Sequence, residues 1–444
     1  MNPIQTPGID ESKLQNVLWD LGLTTLHELE TDDGILASGR QEAYGCLFGR
    51  DSLITALKLL KVYDATGNEY FANLTRKILL NLAAHQGTAF NIESGEEPGK
   101  CIHEFRPSGH EHLTRRAINP WYVYTDNSMR NYDSVDATPL FLIAIARYHQ
   151  RMQDAPFMDR MLPHGVAALK WLMELGDSNG DGFIDYRIHP ERKSGGLTTQ
   201  SWMDSAESVF HEDGTPVTYP IAPVEVQAYS WLALRLWSDF LKATDPERAR
   251  NLRVRADELS ANFAERFFEE EEGTNGLMVA SAIDGSGRPL RSVRSSMGHC
   301  LWASLTPALD ATLECIVPAP HIPAVAARLL AEDLFEPDGG IRTLSARSTR
   351  YDPESYHNGS IWPHDNGLII EGLDAHGYKD HASRIRRAIL GAYAHFETPL
   401  ELFTHRNGAL TLWKSASGQE ACKKQAWSAA ALLQQVAALR LQAS

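Results

Sequence analysis

The chain reads as an all-α protein, an (α/α)6 barrel in which six helical hairpins close into a ring. Three observations lead there. Segment after segment places apolar residues at i, i+3, i+4 and i+7, the helical period. Alternating strand patterns are scarce. Six polar, aromatic and glycine-containing clusters recur roughly 60–90 residues apart, each at the start of a helical stretch, with about two helices per interval.

Taken in order, helical periodicity covers 53–67, 71–87, 140–152, 164–176, 228–245, 249–268, 324–335, 367–377, 382–396 and 426–442. Several of these segments end in Gly or begin after Asp or Pro, as helix termini do. The clusters are FGRDSL (48–53), NYDSVDATP (131–139), APVEVQAY (222–229), SSMGHCLW (295–302), SYHNGSIWPHDNG (355–367) and ACKKQAW (421–427). Ordinary caps and turns account for their Asp, Ser and Pro, but not for their Trp, His, Arg and Tyr. Six hairpins in a ring would bring all six clusters to one rim. Helix N-termini there would aim free N–H groups and partial positive charge into a shared pocket. No Pro/Ser-rich linker divides the chain, so the expectation is one catalytic domain over 1–444.

Composition narrows the function. Hydrophobic residues make up 43% of the 444 and charged residues 22%, an ordinary globular balance with material for a large core. A formal net charge of −15 argues against nucleic acid or an anionic membrane as partner. The five cysteines are widely spaced and form no CxxC, so neither a disulfide framework nor a zinc site is expected. The first residues lack the basic and apolar regions of a signal peptide, and no apolar run approaches a membrane span. A cytoplasmic protein without a cofactor is the expectation.

The clusters supply what sugar recognition requires: flat aromatic faces for the C–H face of a ring, and bidentate side chains for its hydroxyls. Candidates are Arg50, Asp51, Asp136, Glu225, Gln227, His299, Trp302, His357, Asn358, Trp362, His364, Asp365 and Trp427. Glycoside hydrolysis also needs a carboxylic acid and a second carboxylate. The loop TTQSWMDSAESVF (198–210) sets Trp202 near Asp204 and Glu207. A carboxyl against an indole is an environment that raises a pKa, although either acid is equally suited to capping the next helix. In HFETPLELFTHRNG (395–408), Glu397 sits at a helix end and reads as solvated. Glu401, between Leu400 and Leu402, reads either as a buried base or as part of a structural network. DSNGDGFID (177–185) has the core of a calcium loop, but its twelfth position is Ile188. A tight Asn/Asp/Gly turn without metal is the better reading.

In order along the chain, GRDSLITAL, EPGKCIHEFR, YDSVDATPLFL, GDSNGDGF, SWMDS, PVEVQAY, GHCLW, GGIRTLS, YHNGSIWPHDNGLI, LELF and ACKKQAW resemble the α-1,6-glucosidase domain of glycogen debranching enzymes and their bacterial relatives. More distantly they are similar to glucoamylase. The resemblance runs from about residue 40 to 435 and implies the (α/α)6 barrel and inverting hydrolysis of α-glucosidic bonds. It gives Asp204 the general-acid role and Glu401 the general-base role. Arg50 and Asp51 match the pair that holds the non-reducing sugar. Tyr356, His357, Trp362 and Asp365 match its YHxGSxWPxDN segment, and Arg342 lies in its GGIRTLS segment. Two departures point away from polymeric glycogen: the chain has no room for the β-rich N-terminal domain of many relatives, and Lys423-Lys424 replaces their Ser-Pro or Thr-Pro.

The rival chemistries are a sugar epimerase of the same barrel working through histidine pairs, with His299, His357 and His364 available, and a silent carbohydrate-binding protein. Debranching of α-1,6-linked glucan is a third alternative. The ordered motifs and the two carboxylates favour hydrolysis of a small glucoside. The stretch 88–132 lacks helical period and carries Lys100, Arg106, Arg115, Arg116 and Arg130 among Trp121, Tyr122 and Tyr124. It reads as a lid or binding loop; its arginines, Arg115 and Arg116 among them, either pair with surface carboxylates, the better reading for any single one, or grip an acidic aglycone such as glycerate.

Overall fold

The computed structural model describes residues 11–271, 276–306 and 312–443. Thirteen α-helices occur among them: α1 (Glu11–Leu29), α2 (Gly49–Thr66), α3 (Glu69–Ala84), α4 (Glu111–Thr114), α5 (Ala137–Met152), α6 (Ala155–Glu174), α7 (Val224–Leu241), α8 (Pro246–Arg266), α9 (His299–Trp302), α10 (Ile322–Leu329), α11 (Pro363–Ala375), α12 (Lys379–Phe396) and α13 (Ala426–Ala443).

Six of them close a ring: α2 packs on α5, α5 on α7, α7 on α9, α9 on α11, α11 on α13, and α13 back on α2. An outer layer covers it, with α3 on α2, α6 on α5, α8 on α7, α12 on α11 and α1 on α13. The outer helix α10 packs beside the 3-10 turn Ser295–Gly298 that leads into α9. The architecture is the (α/α)6 barrel. The ring is sealed by the two ends of the described chain, since α1 lies against α13 with Gly22 facing Leu433 and Ala429.

Residue choice separates the layers. An inner helix touches neighbours on every side, so α2 is buried continuously from Gly49 to Leu60 and α7 from Val224 to Ser238. An outer helix needs one apolar stripe. In α8 that stripe is Ala249, Leu252, Ala256, Leu259 and Phe263. The sequence reading begins its helices at residue 53 and misses α1. It also carries the 324–335 helix too far: α10 ends at Leu329, and Phe335–Glu336 is a strand paired with Gly340–Ile341.

Among the described residues, side-chain caps occur only at outer helices, though the outer helices α10 and α12 lack them as well. The outer helices α3, α6 and α8 have side-chain caps from Asn68, Asp154 and Asp245. The inner helices α2, α5, α7, α9 and α11 have none. Asp136 occupies the N-cap position of α5, yet its carboxylate is taken by Arg50 and Ser134. The first N–H groups of inner helices are met instead by neighbouring loops, that of Gly49 by the His103 carbonyl at 2.8 Å and that of Val224 by the Ser281 carbonyl at 3.0 Å.

Short strands lead into several inner helices. Leu47–Phe48 pairs with Glu104–Arg106, which pairs with Met129–Asn131; Ile221–Pro223 pairs with Ala282–Asp284. At the start of α2 the fit is tight. A Cβ on Gly49 would lie 1.9 Å from the Ile102 carbonyl oxygen.

The 177–185 turn uses its carboxylates on its own backbone. Asp177 accepts the N–H groups of Gly180 and Gly182 at 2.7 and 2.8 Å, and Asp181 accepts that of Phe183 at 3.0 Å. Arg255 donates to the Gly182 carbonyl at 3.0 Å. Within 88–132 the basic residues mostly serve the loop itself: Lys100 is buried and donates to the Gly95 carbonyl at 3.3 Å, Arg106 pairs with Glu104, and Arg130 with Asp126. Arg115 and Arg116 are exposed. Among the described residues, no helix is long and apolar enough to cross a membrane.

Candidate active site

The inner-helix starts converge on Arg50, in the first turn of α2. Its Nε donates to Asp136 Oδ2 at 2.6 Å, its Nη1 to Asp204 Oδ2 at 3.0 Å and its Nη2 to the Ser201 carbonyl at 2.9 Å. Burial opposes the guanidinium charge, but Asp136 and Asp204 outweigh it and hold its pKa up. One fork thus locks the start of α5 to the 198–210 loop. Asp136 is fully buried, whereas the Asp204 side chain is 23% exposed and reaches a surface cleft. Burial raises the Asp204 carboxyl above its usual range and Arg50 opposes the rise. Asp51 beside it and Glu225 at the start of α7 are both pushed up to about 7, chiefly by burial.

Under the cleft lies an aromatic floor. Trp202 stacks on His299 at 6.1 Å and meets His357, Trp362 and His364 edge-on at 5.4, 5.4 and 4.8 Å. His357 lies flat on Trp362 at 5.1 Å, and His364 flat on Trp427 at 3.6 Å. Residues from α9, α11, α13 and two loops thereby form one continuous layer. His299 is held from both sides, by Tyr229 at its Nδ1 (2.6 Å) and Asp365 at its Nε2 (2.7 Å). Burial holds His357 and His364 well below the ordinary histidine value, favouring the neutral ring in each.

Glu401 lies behind this floor, 1% exposed. Its Oε1 accepts the Tyr356 hydroxyl and its Oε2 the Cys422 N–H at 2.8 Å. Burial pushes the carboxyl up to about 7, with the Tyr356 and Cys422 hydrogen bonds pulling the other way. The Tyr356 hydroxyl is also 3.2 Å from that of Tyr44.

The cleft measures about 610 Å3 and is lined by Tyr44, Asp204, Tyr356 and Trp413, with residues of 205–207, 350–358 and 415–419 around them. The site therefore holds two carboxyls in different settings. One rests on an arginine at the floor of an open cleft. The other is enclosed behind a tyrosine.

The family model for the mannosylglycerate hydrolase MGH1-like glycoside hydrolase domain matches residues 102–415. The chain belongs to this glycoside hydrolase family. It is a glycosidase, as the sequence resemblance implied, and histidine-pair epimerase chemistry is set aside. Among solved structures, the chain is similar to the GH63 mannosylglycerate hydrolase from Thermus thermophilus in complex with glucose, at 14% identity and a TM-score of 0.65, covering 94% of this chain and 99% of that one. The same hydrolase in complex with Tris and D-glycerate aligns at 15% identity and a TM-score of 0.64, with the same coverage. A structure described as glycosidase Y48F aligns at 14% identity and a TM-score of 0.56, covering 98% and 99%. These likenesses show the shared barrel. No curated protein sequence matches the chain.

Of the residues the sequence singles out, Arg50, Asp51, Asp136, Trp202, Asp204, Glu225, His299, Tyr356, His357, Trp362, His364, Asp365 and Glu401 all fall in or directly beneath this constellation. Two do not join it as binding groups. Gln227 is a substrate-binding candidate in sequence, but its amide is consumed by the Ile184 N–H and by the Ile184 and Pro223 carbonyls at 2.7–3.0 Å. Arg342 is directed to Glu336 at 2.5 Å and does not line the cleft. Likewise, no residue of 88–132 lines it, so Arg115 and Arg116 are not placed to grip an aglycone there. Sequence reasoning missed Tyr44, Trp413 and Arg294. Arg294 is fully enclosed and donates to the His357 carbonyl (2.8 Å), the Ser208 carbonyl (2.5 Å) and Asn358 Oδ1 (2.8 Å), tying the acid's loop to the tyrosine's. Only the alignment of 201–208 against 355–358 in space reveals that role.

Proposed function

We propose that the chain hydrolyses a terminal α-glucosidic bond of a small α-glucoside with inversion at the anomeric carbon. Asp204 protonates the leaving oxygen, and Glu401 takes a proton from the attacking water. The observation that carries this reading is the pair itself: two carboxyls, both raised by burial, one on Arg50 in the open cleft and one behind Tyr356. Raised carboxyls are what acid/base work near neutrality needs. An inverting enzyme keeps its carboxyls roughly 6.5–9.5 Å apart to admit a water.

The non-reducing sugar would lie in the cleft against Asp204, with Arg50 and Asp51 beneath it and the buried Trp202–Trp362–Trp427 layer supporting them, and the complex of the Thermus hydrolase with glucose supports a hexose there. A cleft of about 610 Å3 suits a small ligand, which supports a small glucoside over branched α-1,6 glucan. No cofactor enters the chemistry, and the partner is the carbohydrate substrate alone. The test is glucose release from a panel of small α-glucosides, α-mannosides and a branched maltodextrin, by the wild type and by Asp204→Asn. Faster turnover of the maltodextrin, or of the mannosides, would overturn the small-glucoside reading.

A further inference from the structure

The cleft is lined by Asp204 and not by Glu401. On the reading above, the general acid protonates the oxygen that departs with the aglycone. The open space beside Asp204 is therefore the leaving-group side, and its walls decide which aglycones are accepted.

Those walls carry Glu207, Asp352 and Glu354 against one guanidinium, Arg350. Glu354 is paired with Arg406, and Arg350 lies over the Phe210 ring at 5.0 Å. The Glu207 carboxylate accepts the Ser355 hydroxyl at 3.5 Å, while its backbone carbonyl takes the Asn358 amide at 3.1 Å, and Asp352 accepts the Glu354 N–H at 2.8 Å. Neither has a cation within ion-pair distance among the described residues. The buried Arg294 spends its donors on the His357 and Ser208 carbonyls and Asn358, and Arg50 is bound to Asp136 and Asp204. The neutral part of the lining is aromatic and hydroxyl-bearing. Trp413 and Tyr356 pack at 4.9 Å, and the Tyr44 hydroxyl is 3.3 Å from the Gln419 amide. Aromatic faces beside hydroxyl and amide groups suit a polyhydroxyl partner.

We propose that this side of the cleft takes an uncharged polyhydroxyl aglycone, a polyol or a second sugar, and discriminates against one bearing a carboxylate. The proposal rests on the hydrolase reading above and adds the aglycone class to it. It departs from the acidic aglycone suggested by the arginines of 88–132, none of which reaches the cleft.

The experiment compares kcat/KM for glucosylglycerol, a glucosyl-glucose disaccharide and glucosylglycerate, at low and high salt. Both neutral substrates should exceed the carboxylate by at least roughly tenfold at low salt, because like charges brought together in an interface are strongly disfavoured. Added salt should raise the rate on the carboxylate alone. Glu207→Gln/Asp352→Asn should narrow the gap by favouring the carboxylate. The faster neutral substrate tells polyol from sugar. Equal or faster turnover of glucosylglycerate, or a preference indifferent to salt, would overturn the aglycone assignment while leaving the hydrolase reading intact. Absence of glucose release from all three would overturn the hydrolase reading, and the aglycone assignment with it.

Discussion

Replacing Tyr356 with Phe removes one hydroxyl and tests the base assignment through its pH dependence. Glu401 is pushed up to about 7 by burial, and the Tyr356 hydroxyl opposes that rise by donating to the ionised form. A base works only when ionised, so kcat/KM of the wild type should fall as pH drops below about 7. A hydrogen bond to a charged group contributes about 1.5–3 kcal/mol. At 1.36 kcal/mol per pKa unit, losing it should move the acidic limb upward by roughly 1–2 units. The Cys422 N–H, at 2.8 Å, remains as the second donor and limits the shift. At pH 6 the variant should therefore be slower than wild type by a further tenfold or more, and the deficit should shrink toward pH 9. Initial rates of glucose release between pH 5 and 9.5 measure this. An acidic limb that stays in place, or moves down, would refute Glu401 as the titrating base.

Asp204→Asn should cost roughly 10²–10⁴-fold in kcat with little change in thermal midpoint; retention of more than a tenth of the activity would move the acid role elsewhere, Glu207 first. Proton NMR of the first-formed sugar from an α-glucoside should show the β-anomer, and initial α-anomer would exclude inversion. Asp51, Glu225 and Glu401 have folded pKa values of about 7, above those of unfolded carboxyls, so the native state holds more protons between about pH 4.5 and 7. Their contribution to stability is full below that window and lost as pH rises through it, and Glu401→Gln should flatten the fall in thermal midpoint between pH 5 and 8.5. Arg294→Met leaves the acceptors on His357, Ser208 and Asn358 without their donor and should destabilise by about 3 kcal/mol, read by denaturant titration. Gly49→Ala should lower the midpoint too, because the new methyl meets the Ile102 carbonyl oxygen at 1.9 Å; an unchanged midpoint would show that the 102–103 segment yields freely.

The helical period and the recurrence of polar–aromatic clusters are local properties, and both survive in the sequence. They determine that the chain is a ring of hairpins and that the residues at 48–53, 131–139, 222–229, 295–302, 355–367 and 421–427 share one rim. Inner helices must be buried on all sides, so their starts are the places where so much polar and aromatic character persists, and that is why the site shows through. Asp204 and Glu401 are legible as candidates for the same reason: each is an acid in an apolar setting, Trp202 beside one and Leu400 and Leu402 beside the other. Whether a polar residue in a cluster faces the cleft or the scaffold is set by partners far away in sequence. Gln227 and Asp136 look alike on the page, yet one is absorbed by Ile184 and Pro223 while the other meets Arg50 across 86 residues. Arg342 is drawn off by Glu336, and of the arginines of 88–132, Arg106 and Arg130 are stitched into a small sheet by Glu104 and Asp126, and none lines the cleft. Tyr44, Arg294 and Trp413 carry no local signal, because a tyrosine after a turn, an arginine before a 3-10 turn and a tryptophan after a hairpin are ordinary. Tertiary structure alone sets Tyr44 beside Tyr356 and Trp413 against it, and gives the cleft its acidic walls, since those contacts join segments whose separation leaves no periodic trace.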